Sequence, residues 1–188
     1  ASSASDSVAV VDAVEPDRLH VVGAVQDRTR LRQARSIVGF TDDSDNLYMV
    51  VAARGDFPRS EGYVSIVDVS AARWSQGPGT SHRPRVQPAV VSSVRECRPS
   101  TDPTFPRLVG RLCGVSAVAL HGAFAVAAAE RIASVSTISL QDVARPRLTG
   151  SVRDARLDGA HQLTVYNAVA YVASRWCADC LVRVSVVQ

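Results

Sequence analysis

Cys177-Ala178-Asp179-Cys180, behind Trp176, has the spacing of a dithiol redox site. Such a site needs its first cysteine at a helix N-terminus, where the positive end of the helix dipole favours the thiolate. Here "VAYVAS" (169–174) precedes the pair and "LVRVSVV" (181–187) follows it. Both alternate β-branched and smaller residues as strands do, so the pair falls in a strand-to-strand loop. Zinc needs four ligands, and the other candidates, Cys97, Cys113 and four histidines, are scattered over different segments. No metal site is expected. A local disulfide or two free thiols remains. In an exported protein four cysteines fit two bridges, Cys97–Cys113 and Cys177–Cys180, one of three possible pairings.

Arg54-Gly55-Asp56 is the tripeptide of adhesive loops, and it lies between a strand and the next strand, where exposure is expected. A match of three residues arises easily by chance in a chain rich in arginine and aspartate. The recurring aspartates, Asp12, Asp27, Asp68, Asp142 and Asp154, stand at strand ends, as does "TDDSDN" (41–46). A calcium loop needs a central glycine and a distal glutamate; neither is here, so these carboxylates are expected to cap turns. Dinucleotide, P-loop, zincin and nucleophile-elbow motifs are absent. No catalytic residue and no cofactor is assigned.

What positions these residues is a β-rich chain of 188 residues, 46% hydrophobic and 21% charged, long enough for one domain with a core (1–188). Aromatics are only 5%, so Val, Ala, Leu and Ile must build that core. All 21 basic residues are arginine, which removes lysine chemistry altogether. The net charge of +3 sits in residues 71–106, where five arginines face Glu96 and Asp102. The rest balances, so the body is no nucleic-acid surface. The longest apolar run, 113–129, is broken by His121-Gly122 and reads as two strands and a turn rather than a membrane span. The start, "ASSASDS", reads as a processed end.

A repeat organises the chain. "VAVVDAV" (8–14), "VSIVDVS" (64–70) and "ASVSTISL" (133–140) are alternating strands. Each is followed by a proline and then by a glycine-centred strand: "LHVVGAV" (19–25), "RLVGRL" (107–112) and "RLTGSV" (147–152). A short link leads to two further strands. The pattern gives two complete four-strand units, flanked by two strands at the start and three at the end. Four short strands per unit predict an all-β, β-propeller-type repeat of four-stranded blades, about three repeats with incomplete blades at both ends. Residues 71–105 are expected to be a long Pro/Arg-rich loop inserted in one unit, with Arg83 and Arg85, like Arg54, Gly55 and Asp56, as interaction-loop candidates.

"VSIVDVS", "PRLVGRL", "PRLTGSVRDARLDGAH" and "VAYVAS" resemble the LVIVD-repeat family. The resemblance implies β-propellers, mostly in surface or exported proteins. In related propellers the strand after the link is innermost, which would put Arg35, Ser116 and His161 at equivalent places near the channel mouth, where propeller ligands sit. The expectation is a non-enzymatic structural or protein-interaction module, extracellular or at the cell surface. It would meet a protein partner or complete its sheets with neighbouring copies through blade edges, with no nucleic acid and no membrane span. The alternatives are a propeller hydrolase or lectin-like domain with its ligand at the mouth, and an accessory subunit of an organellar complex after transit-peptide removal.

Overall fold

The computed structural model describes residues 6–13, 17, 19–55, 61–70, 87–99, 108–175 and 181–185. They form open antiparallel sheets, with a short 3₁₀ segment at Ala155–Leu157. Strands β1 (Ser7–Asp12) and β2 (His20–Gln26) pair as a two-stranded sheet. Strands β3 (Ala34–Thr41), β4 (Leu47–Ala53), β5 (Tyr63–Asp68) and β6 (Ala89–Arg95) follow in order as the second sheet. Strands β7 (Cys97–Pro99) and β8 (Leu108–Gly110) make a separate hairpin. The third main sheet runs β9 (Val115–His121), β10 (Phe124–Ala129), β11 (Ser134–Ser139) and β12 (Arg147–Arg153). The last holds β13 (Ala160–Tyr166), β14 (Val169–Ser174) and β15 (Leu181–Ser185).

The sheets stack face to face, and the pleat decides which neighbour each side chain meets. Val51 and Val67 join Val8 and Val22 between the first two sheets. Val50 and Ile66, one residue away, point to the opposite face and meet Ala125 and Ile138 of the third sheet. Val126 and Val135 then pack with Ala170 and Val172 of the last. Middle strands covered on both faces read as near-continuous small apolar runs, as in "FAVAAA". At the inner edge β9 lies between β3 and β13. The Ser36 hydroxyl accepts from the Val118 N–H at 3.2 Å, fastening β3 to β9.

The expected irregular loop over 71–105 is corrected in part. Residues 89–95 are β6, the outer strand of the second sheet, and 97–99 are β7. "RLVGRL" was expected in that outer place, yet residues 108–110 pair with β7 instead. The physical reason is visible in three matching segments: "VVGAVQD" (21–27), "VVSSVRE" (90–96) and "LTGSVRD" (148–154). Each carries the same register shift against its neighbour, opposite Val22, Val91 and Thr149. Ser92 occupies the place of Gly23 and Gly150. Its hydroxyl donates to the Val143 carbonyl, so the serine is accommodated by a bond to the loop 140–146, which joins two strands of the third sheet. Arg83 and Arg85 lie outside the described residues.

Candidate functional site

Each inner strand is entered through the same link. "LRQAR" (31–35), "LCGVS" (112–116) and "LDGAH" (157–161) begin with Leu31, Leu112 and Leu157, all fully buried. Two residues on, Gln33, Gly114 and Gly159 take φ of 54°, 69° and 69°, a left-handed turn that glycine adopts without strain. A carboxylate-bearing residue precedes each link. Its carbonyl accepts from the leucine N–H: Asp27 at 3.0 Å, Glu96 at 3.1 Å and Asp154 at 2.9 Å. Arg30, Arg111 and Arg156 pair with the same three carboxylates. In the middle copy the β7–β8 hairpin is inserted between carboxylate and leucine, and a Cys97–Cys113 disulfide closes its base, with Cα atoms 4.8 Å apart. Cys177 and Cys180 lie outside the described residues.

The links aim three side chains. Arg35, Ser116 and His161 are each the extra residue of a β-bulge at the start of β3, β9 and β13. A bulge turns its extra side chain away from the regular pleat. All three line one cavity of about 510 Å³, together with Gln162, Thr164 and Tyr171. The alignment that grouped these residues therefore corresponds to a shared place. Arg35 is exposed. Ser116 is buried, and its hydroxyl donates to the Ala160 carbonyl at 2.6 Å. His161 Nδ1 is buried without a hydrogen-bond partner among the described residues.

A second cleft, of about 320 Å³, is lined by Arg54, Glu130, Arg131, Asp158, Gly159 and Arg175. Arg54, Glu130 and Arg175 directly follow β4, β10 and β14, and so are equivalent. Their N–H groups donate to the carbonyls of Gln33, Gly114 and Gly159 at 3.3, 3.2 and 3.1 Å. The Arg54 guanidinium pairs with Glu130, the two side chains being only 19% and 15% exposed. Burial holds the Arg54 pKa below its ordinary value. Glu130 opposes that shift, while repulsion from Arg131, Arg35 and Arg175 adds to it.

This geometry corrects the expected exposed Arg54-Gly55-Asp56 loop. Arg54 is half-buried in an ion pair, and Gly55 is buried with φ +74°, its N–H bound to the Arg32 carbonyl at 3.0 Å. Two backbone hydrogen bonds to the preceding link turn the segment inward. Asp56 lies outside the described residues. Sequence reasoning missed Glu130, Arg131 and Arg175. The signal was there: "VAARG", "AAAER" and "VASRW" align by their strands, and two of the three put arginine first after the strand.

Asp27, Asp68, Asp142 and Asp154 cap turns, as does Asp42. Asp42 accepts from the Ser44 and Asn46 N–H groups, Asp68 from Ser70 and Asp142 from Ala144. Among the described residues no three His, Cys, Asp or Glu side chains gather as a metal site. No helix among them is long and apolar enough to cross a membrane.

No protein-family model matches the chain, and no curated protein matches it. Among solved structures, it is similar to a functionally unknown protein from Desulfotomaculum acetoxidans, at 10% identity and a TM-score of 0.39. The similarity covers 90% of this chain and 56% of that one, so this chain spans little more than half of its length.

Proposed function

We propose that the sheets are blades of a β-propeller-type repeat and that the chain is a non-enzymatic interaction module which joins copies of itself. The observation that carries this reading is the uncovered face of the first sheet. Val11, Leu19 and Val21 are 49%, 60% and 68% exposed there, while the opposite face packs on the second sheet. Contiguous exposed apolar side chains mark interaction surfaces. The repeat supplies the occupant: successive sheets of this chain stack face to face through small apolar side chains, and a sheet of a second copy can lie on the uncovered face in the same way.

The Cys97–Cys113 bridge supports an oxidising compartment, extracellular or at the cell surface. The LVIVD likeness points the same way. Ser116 argues against the hydrolase alternative, because its hydroxyl proton is committed to the Ala160 carbonyl rather than to a base. Light scattering over a range of concentrations tests the proposal. The mass should rise above that of the monomer, and Val21→Asp should return it to the monomer value. A monomer at every concentration would refute self-association.

A further inference from the structure

We infer that copies of the chain dock head to tail, the uncovered face of the first sheet in one copy lying on the outward face of the last sheet in the next. This rests on the self-association reading and names the partner surface.

Equivalence within the repeat carries the inference. The outer strands of the first, second and third main sheets share one register shift, and the pair directly beyond it is Val11–Val21, Val67–Val90 and Ile138–Leu148. The three pairs are therefore equivalent. Val67 and Val90 share a core with Val8 and Val22 of the sheet before. Ile138 and Leu148 share one with the second sheet. Val11 and Val21 hold the same register and are 49% and 68% exposed. They are the side chains that the other two sheets bury against a preceding sheet.

The same comparison identifies what covers such a pair. Ile138 and Leu148 meet Val50 and Ala52 of β4. Across the strand pairings, Val50, Val126 and Tyr171 are equivalent, as are Ala52, Ala128 and Ala173. Val126 and Ala128 are buried against the last sheet. Tyr171 and Ala173 are half-buried and line the cavity of about 510 Å³. Thr164 and Tyr166, on the same face, are exposed. One end of the stack thus shows the face that is covered, and the other end the face that covers. Two different complementary surfaces build rings or open chains of copies. Tyr171 and Thr164 stand where Val50 and Val38 stand in the second sheet. The outward face is accordingly more polar than the internal ones, as suits a reversible contact.

The test mixes two variants, each with one face spoiled by a charge that docking would bury unpaired. Val21→Asp alters the first sheet and Tyr171→Asp the last. By light scattering, the wild-type mass should rise with concentration to at least twice that of the monomer. Each variant alone should stay at the monomer mass. An equimolar mixture should reach twice the monomer mass and stop there, because each variant keeps the face that the other has lost. Circular dichroism checks that both are folded, and Ala173→Arg, with the same expectations, replaces Tyr171→Asp if that variant is not. Wild-type association by the last-sheet variant overturns the inference: the copies then meet first sheet to first sheet, and self-association stands. A mixture of folded variants that stays monomeric also overturns it. A wild type that is monomeric at every concentration refutes both readings.

Discussion

Ser116 Oγ donates to the Ala160 carbonyl at 2.6 Å and also reaches the Ala128 carbonyl at 3.3 Å. One buried hydroxyl thereby ties the start of β9 to its own sheet and to the start of β13. Ser116→Ala removes both bonds and leaves buried carbonyls with one donor fewer. Stability should fall by about 1–2 kcal/mol. Urea unfolding should show a lower midpoint with an unchanged slope.

The Cys97–Cys113 bridge closes a loop with a sequence separation of 16. For a loop of that size the chain-entropy model gives about 3 kcal/mol. The Cys97→Ala/Cys113→Ala double variant should lose stability of that order, with β7–β8 affected first. Peptide mapping without reductant should recover Cys97 and Cys113 in one linked fragment. Recovery of free thiols at both positions would contradict the pairing.

Gly55 has φ +74°, and a Cβ there would sit 2.4 Å from the Glu61 carbonyl oxygen. Gly55→Ala should therefore destabilise by at least about 1–2 kcal/mol, from the left-handed backbone alone. Thermal unfolding measures the cost. A neutral result would mean that the segment is free to rearrange, as an exposed adhesive loop would be.

Asp154 is held at about pKa 2 by the Arg156 side chain first and by the Arg156 N–H second, below the ordinary 3.8. Its folded pKa is depressed, so its contribution to stability is present above pH 3.8 and disappears as pH falls through about 2. In Asp27 burial pushes the carboxyl up, but the Arg30 and Thr29 N–H groups and the Arg30 guanidinium together outweigh it and bring it down. Asp154→Asn should be less stable than the wild type at pH 6, and the gap should close towards pH 2. Urea midpoints across that range give the comparison.

The grouping of the main sheets into two, four, four and three strands was legible in the sequence, because alternation and the recurring links mark most strands; the separate β7–β8 hairpin was not. The outer strand of the second sheet was not. Glycine served as the landmark, and Ser92 hides it, although "VVSSVRE" repeats "LTGSVRD" in every other respect. Prolines around the segment suggested a loop, yet Pro88 stands directly before β6, as Pro146 does before β12. Arg35, Ser116 and His161 could be aligned by counting from the link. That each is a bulge residue depends on pairing with a strand about a dozen residues or more away. Gly55 was misplaced for the same kind of reason. Strand periodicity locates the end of β4, but the bond that turns the chain inward runs to Arg32, more than twenty residues earlier.

The N–H groups of both Arg111 and Leu112 bond to the carbonyl of Glu96, at 3.0 and 3.1 Å. The chain leaves its frame at Glu96 and comes back to the same point, much as the other two copies pass it without interruption. The hairpin between is thus a detachable cassette with its doorway already built and bolted by a disulfide. Joining Glu96 directly to a link like "ARL" should spare the surrounding sheets, and a foreign segment with closely spaced ends could be carried in its place.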